Sequence, residues 1–182
     1  MNKKLIPLLL VIVAIFQGCR GPEGPPGPEG GSIDVTGTTV DLVGVNFDAN
    51  NDYSYSMSYA DLDVTVFESD AVLIYIDFED VTSGGQTLKA FRLLPQTLFF
   101  DNGGIMTYNY DQTKNDFSIF LDGNVNLATL TDAYTRNQNF RIIVVPADFA
   151  LRTNAELDYS DYNAVVKALN IDESKIRKVS VK

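Results

Sequence analysis

Val72-Leu73-Ile74-Tyr75-Ile76-Asp77-Phe78-Glu79 is the stretch on which the fold turns. Val72, Ile74, Ile76 and Phe78 fall on one face of an extended chain and Asp77 and Glu79 on the other, which reads as a β-strand with one side against a core. Ser83-Gly84-Gly85-Gln86 then supplies residues able to take the positive φ of a tight hairpin turn. Leu88 to Leu94 returns as the partner strand, ended by Pro95, which has no N–H for a ladder.

The two-residue period continues on both sides of this hairpin. Thr97 to Phe100 turns through Asp101-Asn102-Gly103-Gly104 into Ile105 to Tyr110, and Gln112 to Asn115 leads into Phe117 to Leu121, closed by Asp122-Gly123-Asn124. Upstream, Thr38 to Val45 and Leu62 to Phe67 are expected strands. Phe140 to Val145 is apolar except for Arg141, as in a strand buried on both faces. A meander of seven or eight short strands predicts a mainly β domain over residues 33–182, a single antiparallel β-sandwich.

Near the end of the chain the period changes. Tyr162, Val165, Val166 and Leu169 recur at helical spacing, with Ser160 or Asp161 as N-cap and Asn170 suited to a left-handed C-cap, so a short helix should pack on the sandwich. Asp172 to Ile176 adds a further turn. Lys175, Arg177, Lys178 and Lys182 then read as a solvated basic tail.

The N-terminus carries a different signal. Lys3 and Lys4 precede an apolar run from Leu5 to Phe16 that ends in Gln17-Gly18-Cys19. A spanning helix needs roughly 20 apolar residues, and this run is shorter, so residues 1–18 read as a cleaved signal peptide. Phe16-Gln17-Gly18-Cys19 resembles a lipobox, which makes Cys19 the new N-terminus and the site of acylation by palmitate-type chains. Cys19 is the only cysteine in the chain, so no disulfide staples the core.

Residues 19–32 then run Gly21-Pro22-Glu23, Gly24-Pro25-Pro26, Gly27-Pro28-Glu29, Gly30-Gly31-Ser32, a Gly-X-Y register. Three clean triplets offer little interchain bonding against the entropy of ordering three strands. As a single-chain spacer of polyproline type, at about 3.1 Å per residue, the tract would lift the domain roughly 35 Å off a bilayer.

Signal peptide, Gly-Cys, a brief Gly-Pro tract and a β domain, in that order, resemble the collagen-like-repeat lipoproteins of the Bacteroidota, a family without an assigned activity. Arg92-Leu93-Leu94-Pro95-Gln96-Thr97, Ile119-Phe120-Leu121-Asp122-Gly123-Asn124, Val144-Val145-Pro146-Ala147-Asp148-Phe149 and Asp161-Tyr162-Asn163-Ala164-Val165 are similar to stretches repeated among them. The resemblance implies a cell-envelope protein anchored by lipid, on the outer membrane, and carries over no ligand or catalytic residue.

Composition narrows the chemistry. With no histidine and one cysteine reserved for lipid, Ser-His-Asp and Cys-His mechanisms and His/Cys zinc sites have no residues to use. Loss of Lys3 and Lys4 with the signal leaves 12 basic residues against 24 acidic ones, a formal −12, so nucleic acid is not an expected partner. Asp77 and Glu79, two apart on one strand and so about 6.7 Å apart, have the spacing of a carboxylate pair for glycoside hydrolysis.

Asp48, Asn50 and Asp52, and Asp122, Asn124 and Asn126, space oxygen atoms as a calcium loop begins. Tyr53 or Leu127 replaces the loop glycine, and Tyr59 or Ala133 the closing glutamate, so neither is an EF-hand. Asp and Asn are also ordinary turn formers. Tyr53, Tyr55 and Tyr59, interleaved with serines, could meet a sugar or a protein partner, or pack as a strand face. The expectation is a non-catalytic, lipid-anchored interaction or structural module with no cofactor beyond a structural calcium ion, whose partner is an envelope protein or a glycan. The alternatives are a dedicated glycan-binding domain and a carboxylate-dependent glycoside hydrolase.

Overall fold

The computed structural model describes residues 38–149 and 157–181; the signal segment, Cys19, the Gly-X-Y tract and Lys182 lie outside them. Among the described residues nine strands make two sheets: β1 (Thr38–Val45), β2 (Ser54–Ser58), β3 (Ala71–Ser83), β4 (Gln86–Leu93), β5 (Gln96–Phe99), β6 (Ile105–Gln112), β7 (Asp116–Gly123), β8 (Gln138–Val145) and β9 (Arg177–Ser180). The first sheet has the order β4-β3-β8-β1-β9 and the second β2-β7-β6-β5. All pairings are antiparallel except β1 with β9, which run parallel.

The sheets form a sandwich because one apolar cluster draws alternate residues from both. Val40, Leu42, Ile74 and Ile142 of the first sheet meet Met106, Tyr108, Phe117 and Ile119 of the second. Phe47, Tyr108 and Phe140 pack edge to face at 6.1–6.3 Å between ring centres. Burial pushes the Tyr59 hydroxyl up to about 12 and raises those of Tyr75 and Tyr108 as well.

The hairpin of β3 and β4 turns at Gly84 and Gly85, with φ of +59° and +79°, as the sequence predicts. After Leu94-Pro95 the chain leaves the first sheet for the second, which already holds β2, so the expected meander is divided between the two layers. β3 differs from the expectation of one buried side. Leu73 and Tyr75 are also buried, beneath Phe149, Tyr162, Val165 and Leu169. β8 is covered on both faces in the same way, as its continuous apolar run implies.

A first short helix, α1, spans Asp132–Thr135. The second, α2 (Tyr162–Ala168), supplies the outer cover of the first sheet. Asp161 caps it by accepting from the Ala164 N–H at 3.0 Å, and Asn170 ends it with a φ of +51°. The turn expected at Asp172 to Ile176 is a 3-10 turn over Glu173–Lys175 capped by Asp172.

Two elements correct the sequence reading. Leu62 to Phe67 is not a strand: its backbone is spent locally, Leu62 and Val64 N–H donating to the Tyr59 carbonyl and Asp63 N–H to that of Ala60. Ser58 and Asp61 hydrogen-bond to each other and fix this 3-10 turn over Ala60–Leu62. Arg177 and Lys178 belong to no solvated tail. They begin β9, whose Val179 packs on the core and whose Arg177 guanidinium donates to the Leu62 carbonyl.

Among the described residues one charged side chain is buried. Arg141, 6% exposed, projects from β8 under α2 and holds Asp41 with two hydrogen bonds of 2.7 and 2.9 Å. It also reaches Glu173 at 2.5 Å and the Tyr162 hydroxyl, and lies 4.2 Å over the Phe91 ring. Burial opposes its charge, but the bonds to Asp41 and Glu173 outweigh that and raise its pKa.

Candidate functional site

A hollow of 620 Å³ opens at one end of the sandwich, where the loop from β5 to β6, the segment after β7 and α1 come together. Each wall is set by an asparagine. In the first loop Gly103 takes a φ of +79°, and Asn102 Oδ1 accepts from the Gly104 N–H at 2.9 Å. A Cβ on Gly104 would stand 2.5 Å from Val125 Cγ1 and 2.9 Å from Asn102 Oδ1, so the two walls meet closely and a larger residue here would displace one of those side chains.

In the second wall Asn124 Oδ1 accepts from the Ile105 N–H at 2.6 Å, tying the end of β7 to the start of β6. Asn126 caps a 3-10 turn over Leu127–Thr129 by accepting from the Ala128 N–H at 3.1 Å, and Thr129 Oγ1 donates to the Asn126 carbonyl at 2.7 Å. These bonds assign the oxygen of each carboxamide, because only an oxygen can accept from a backbone N–H.

The apolar part is Phe100 against Tyr134, edge to face at 5.5 Å and 88°. Tyr134 is held from below, where the Tyr108 hydroxyl donates to its carbonyl at 2.6 Å. No charged side chain stands among the described residues that line the hollow.

Of the residues singled out from sequence, Asn124 and Asn126 line this hollow and Asp122 does not. Asp122 Oδ1 accepts from the Gly123 N–H at 2.7 Å, so each of the three side chains serves a different backbone N–H. The Asp48 loop is likewise engaged with itself. Asp48 accepts from the Asn50 N–H at 2.8 Å and from Arg136 at 2.9 Å, which together hold its carboxyl below the ordinary range. Asn51 closes the capping box, and Asp52 follows as the left-handed C-cap with a φ of +50°. Among the described residues no three of His, Cys, Asp and Glu form a group that could hold a metal ion.

The tyrosines are placed as packing. Tyr59 is buried, stacks 5.6 Å from Phe117 and donates to Gln112 at 3.2 Å; Tyr53 and Tyr55 lie against the same core. The serines between them take the other face, where Ser56 bonds Ser118 at 2.6 Å.

Asp77 and Glu79 do not share a face. The register of β3 on β4 shifts between them, with Asp77 opposite Phe91 and Glu79 opposite Ala90, so Phe78 is the extra residue of a bulge. Asp77 turns to the α2 side and bonds Lys89 at 2.5 Å. Glu79 turns to the other side and bonds Arg92 at 2.6 Å, where Arg92 also lies 3.9 Å over Phe78.

Sequence reasoning missed Phe100, Asn102 and Tyr134 as site residues. Only the turn signal at Asp101 to Gly104 marked this loop, and nothing local told that it meets residues 124–134. No family model matches the chain, and no curated protein or solved structure matches it.

Proposed function

We propose that this chain is a non-catalytic lipid-anchored protein of the cell envelope, acylated at Cys19, whose β-sandwich is a binding module held off the membrane by its Gly-X-Y tether. The observation that carries the reading is the placement of the single cysteine: it ends a short charged-then-apolar segment and directly precedes the tether. The resemblance to the Bacteroidota lipoproteins supports the same place, with the outer membrane as the expected one. The hollow walled by two loops and α1 at one end of the sandwich supports a binding role.

Its partner is an envelope protein or a glycan, and nucleic acid is disfavoured by the acidic balance. Calcium is no part of this reading: Asp48 pairs with Arg136, and among the described residues no three of His, Cys, Asp and Glu form a group that could hold a metal ion. A hydrolase using Asp77 and Glu79 finds no support, because the two carboxylates lie on opposite faces and each pairs with its own cation.

The test is a pull-down of the natively produced chain from its crosslinked envelope, beside a Cys19→Ala control. The expected result is an envelope-bound wild type that brings a partner with it and a variant that moves to the soluble fraction. Equal membrane retention of the variant would refute the anchor, and recovery of the wild type alone would count against an assembled envelope module.

A further inference from the structure

We propose that the loop-end hollow binds a neutral saccharide, with the carboxamide N–H groups of Asn102, Asn124 and Asn126 on its oxygen atoms and a sugar ring seated against Phe100 and Tyr134. This rests on the binding-module part of the reading above and not on the anchor.

The hollow's 620 Å³ lies within the range of about 300–1,000 Å³ typical of small-molecule sites. Its donors are pre-set. Each asparagine bonds a backbone N–H through its oxygen, which fixes the side chain and leaves the NH2 group, two donors, without a partner among the described residues. All three asparagines are exposed and the described residues contain no buried unpaired side-chain polar atom, so these NH2 groups reach solvent. Three such groups held by the backbone are donors that need not be ordered on binding. Thr129 has given its proton to the Asn126 carbonyl, so its lone pairs remain to accept.

Charge selects among ligands. The described lining has no carboxylate for a cation and no Lys or Arg for an anion, and the acidic balance of the chain disfavours anions further. An acyl chain would leave all three amides without partners. A sugar matches both halves: hydroxyl, ring and acetamido oxygens accept, and its C–H face packs on an aromatic ring.

The full chain, 15N-labelled and held in a detergent without a sugar headgroup, should be titrated with maltotriose, cellotriose and chitotriose, with sialyllactose as the charged control. Saturable shifts of the three asparagine side-chain NH2 signals are expected with at least one neutral saccharide. Asn102→Asp/Asn124→Asp/Asn126→Asp keeps the accepting oxygens and removes the donors, so its Tm should hold while affinity falls by about tenfold or more. Thr131→Trp, which fills the mouth and removes no side-chain cap, gives a second reading should the triple variant fail to fold.

No saturable shift with any neutral saccharide would overturn the proposal. Unchanged binding in both variants, or shifts that spare the three asparagines, would overturn it too. Binding is read on purified protein and anchoring on cell fractions, so each idea can fail alone.

Discussion

Gly123→Ala is expected to destabilise the sandwich by about 2–4 kcal/mol, from a backbone conformation that only glycine takes easily together with a clash the backbone cannot relieve. Gly123 ends β7 with a φ of +151°, and a Cβ built there would stand 2.1 Å from the Ile105 carbonyl oxygen and 3.0 Å from Met106 Cα. Both atoms belong to β6, which is held between β5 and β7, so relief would require moving a paired strand. Gly103→Ala separates the two causes. Gly103 also has a positive φ, +79°, but nothing lies within 4 Å of its added Cβ, so it should cost only the backbone part, about 1 kcal/mol. Urea denaturation measures both. Equal losses would mean that the approach of β7 to Ile105 is looser than described.

Arg141→Ala is expected to cost about 3–5 kcal/mol, because it leaves the largely buried Asp41 carboxylate without its cation. The Asp41 side chain is 13% exposed, and both of its oxygens bond the guanidinium. Glu173, at 51%, is bathed in solvent, so Glu173→Gln should cost less than about 1 kcal/mol despite its short bond to the same group. Replacing the pair together, Arg141→Met with Asp41→Leu, should recover most of the loss, since apolar residues can replace a buried ion pair at little or no cost. Denaturation of the single and double variants measures the coupling. A double variant as unstable as Arg141→Ala would show that Tyr162 and Phe91, rather than Asp41, depend on the arginine.

The sandwich was legible wherever alternation was uninterrupted. Thr38 to Val45 is β1 as expected, and the Gly84-Gly85 turn and the Asp161 and Asn170 caps stand where their chemistry places them. Alternation says nothing of an inserted residue, which is why Phe78 could bulge and send Asp77 and Glu79 to opposite faces. It was equally silent on Arg177–Ser180, a strand with one apolar residue, held by parallel pairing with a segment more than 130 positions away. Arg141 read as a break in an apolar run and is a buried tie between β8, β1 and the Glu173 turn.

The hollow was half legible. Asn124 and Asn126 stood out for their spacing, but as metal ligands, because sequence shows which oxygens are present and not which backbone N–H groups use them. Phe100, in the β5–β6 loop, and Tyr134, on α1, are 34 positions apart and become neighbours only when β5, β6 and β7 pair.

The most direct measurement of the central claim is the mass of the N-terminal peptide of the mature protein, taken from envelopes of the cells that make it. A chain beginning at Cys19, with a diacylglyceryl thioether on its sulfur, is the predicted result. A mature chain that begins elsewhere, or a Cys19 with a free thiol, would contradict the account.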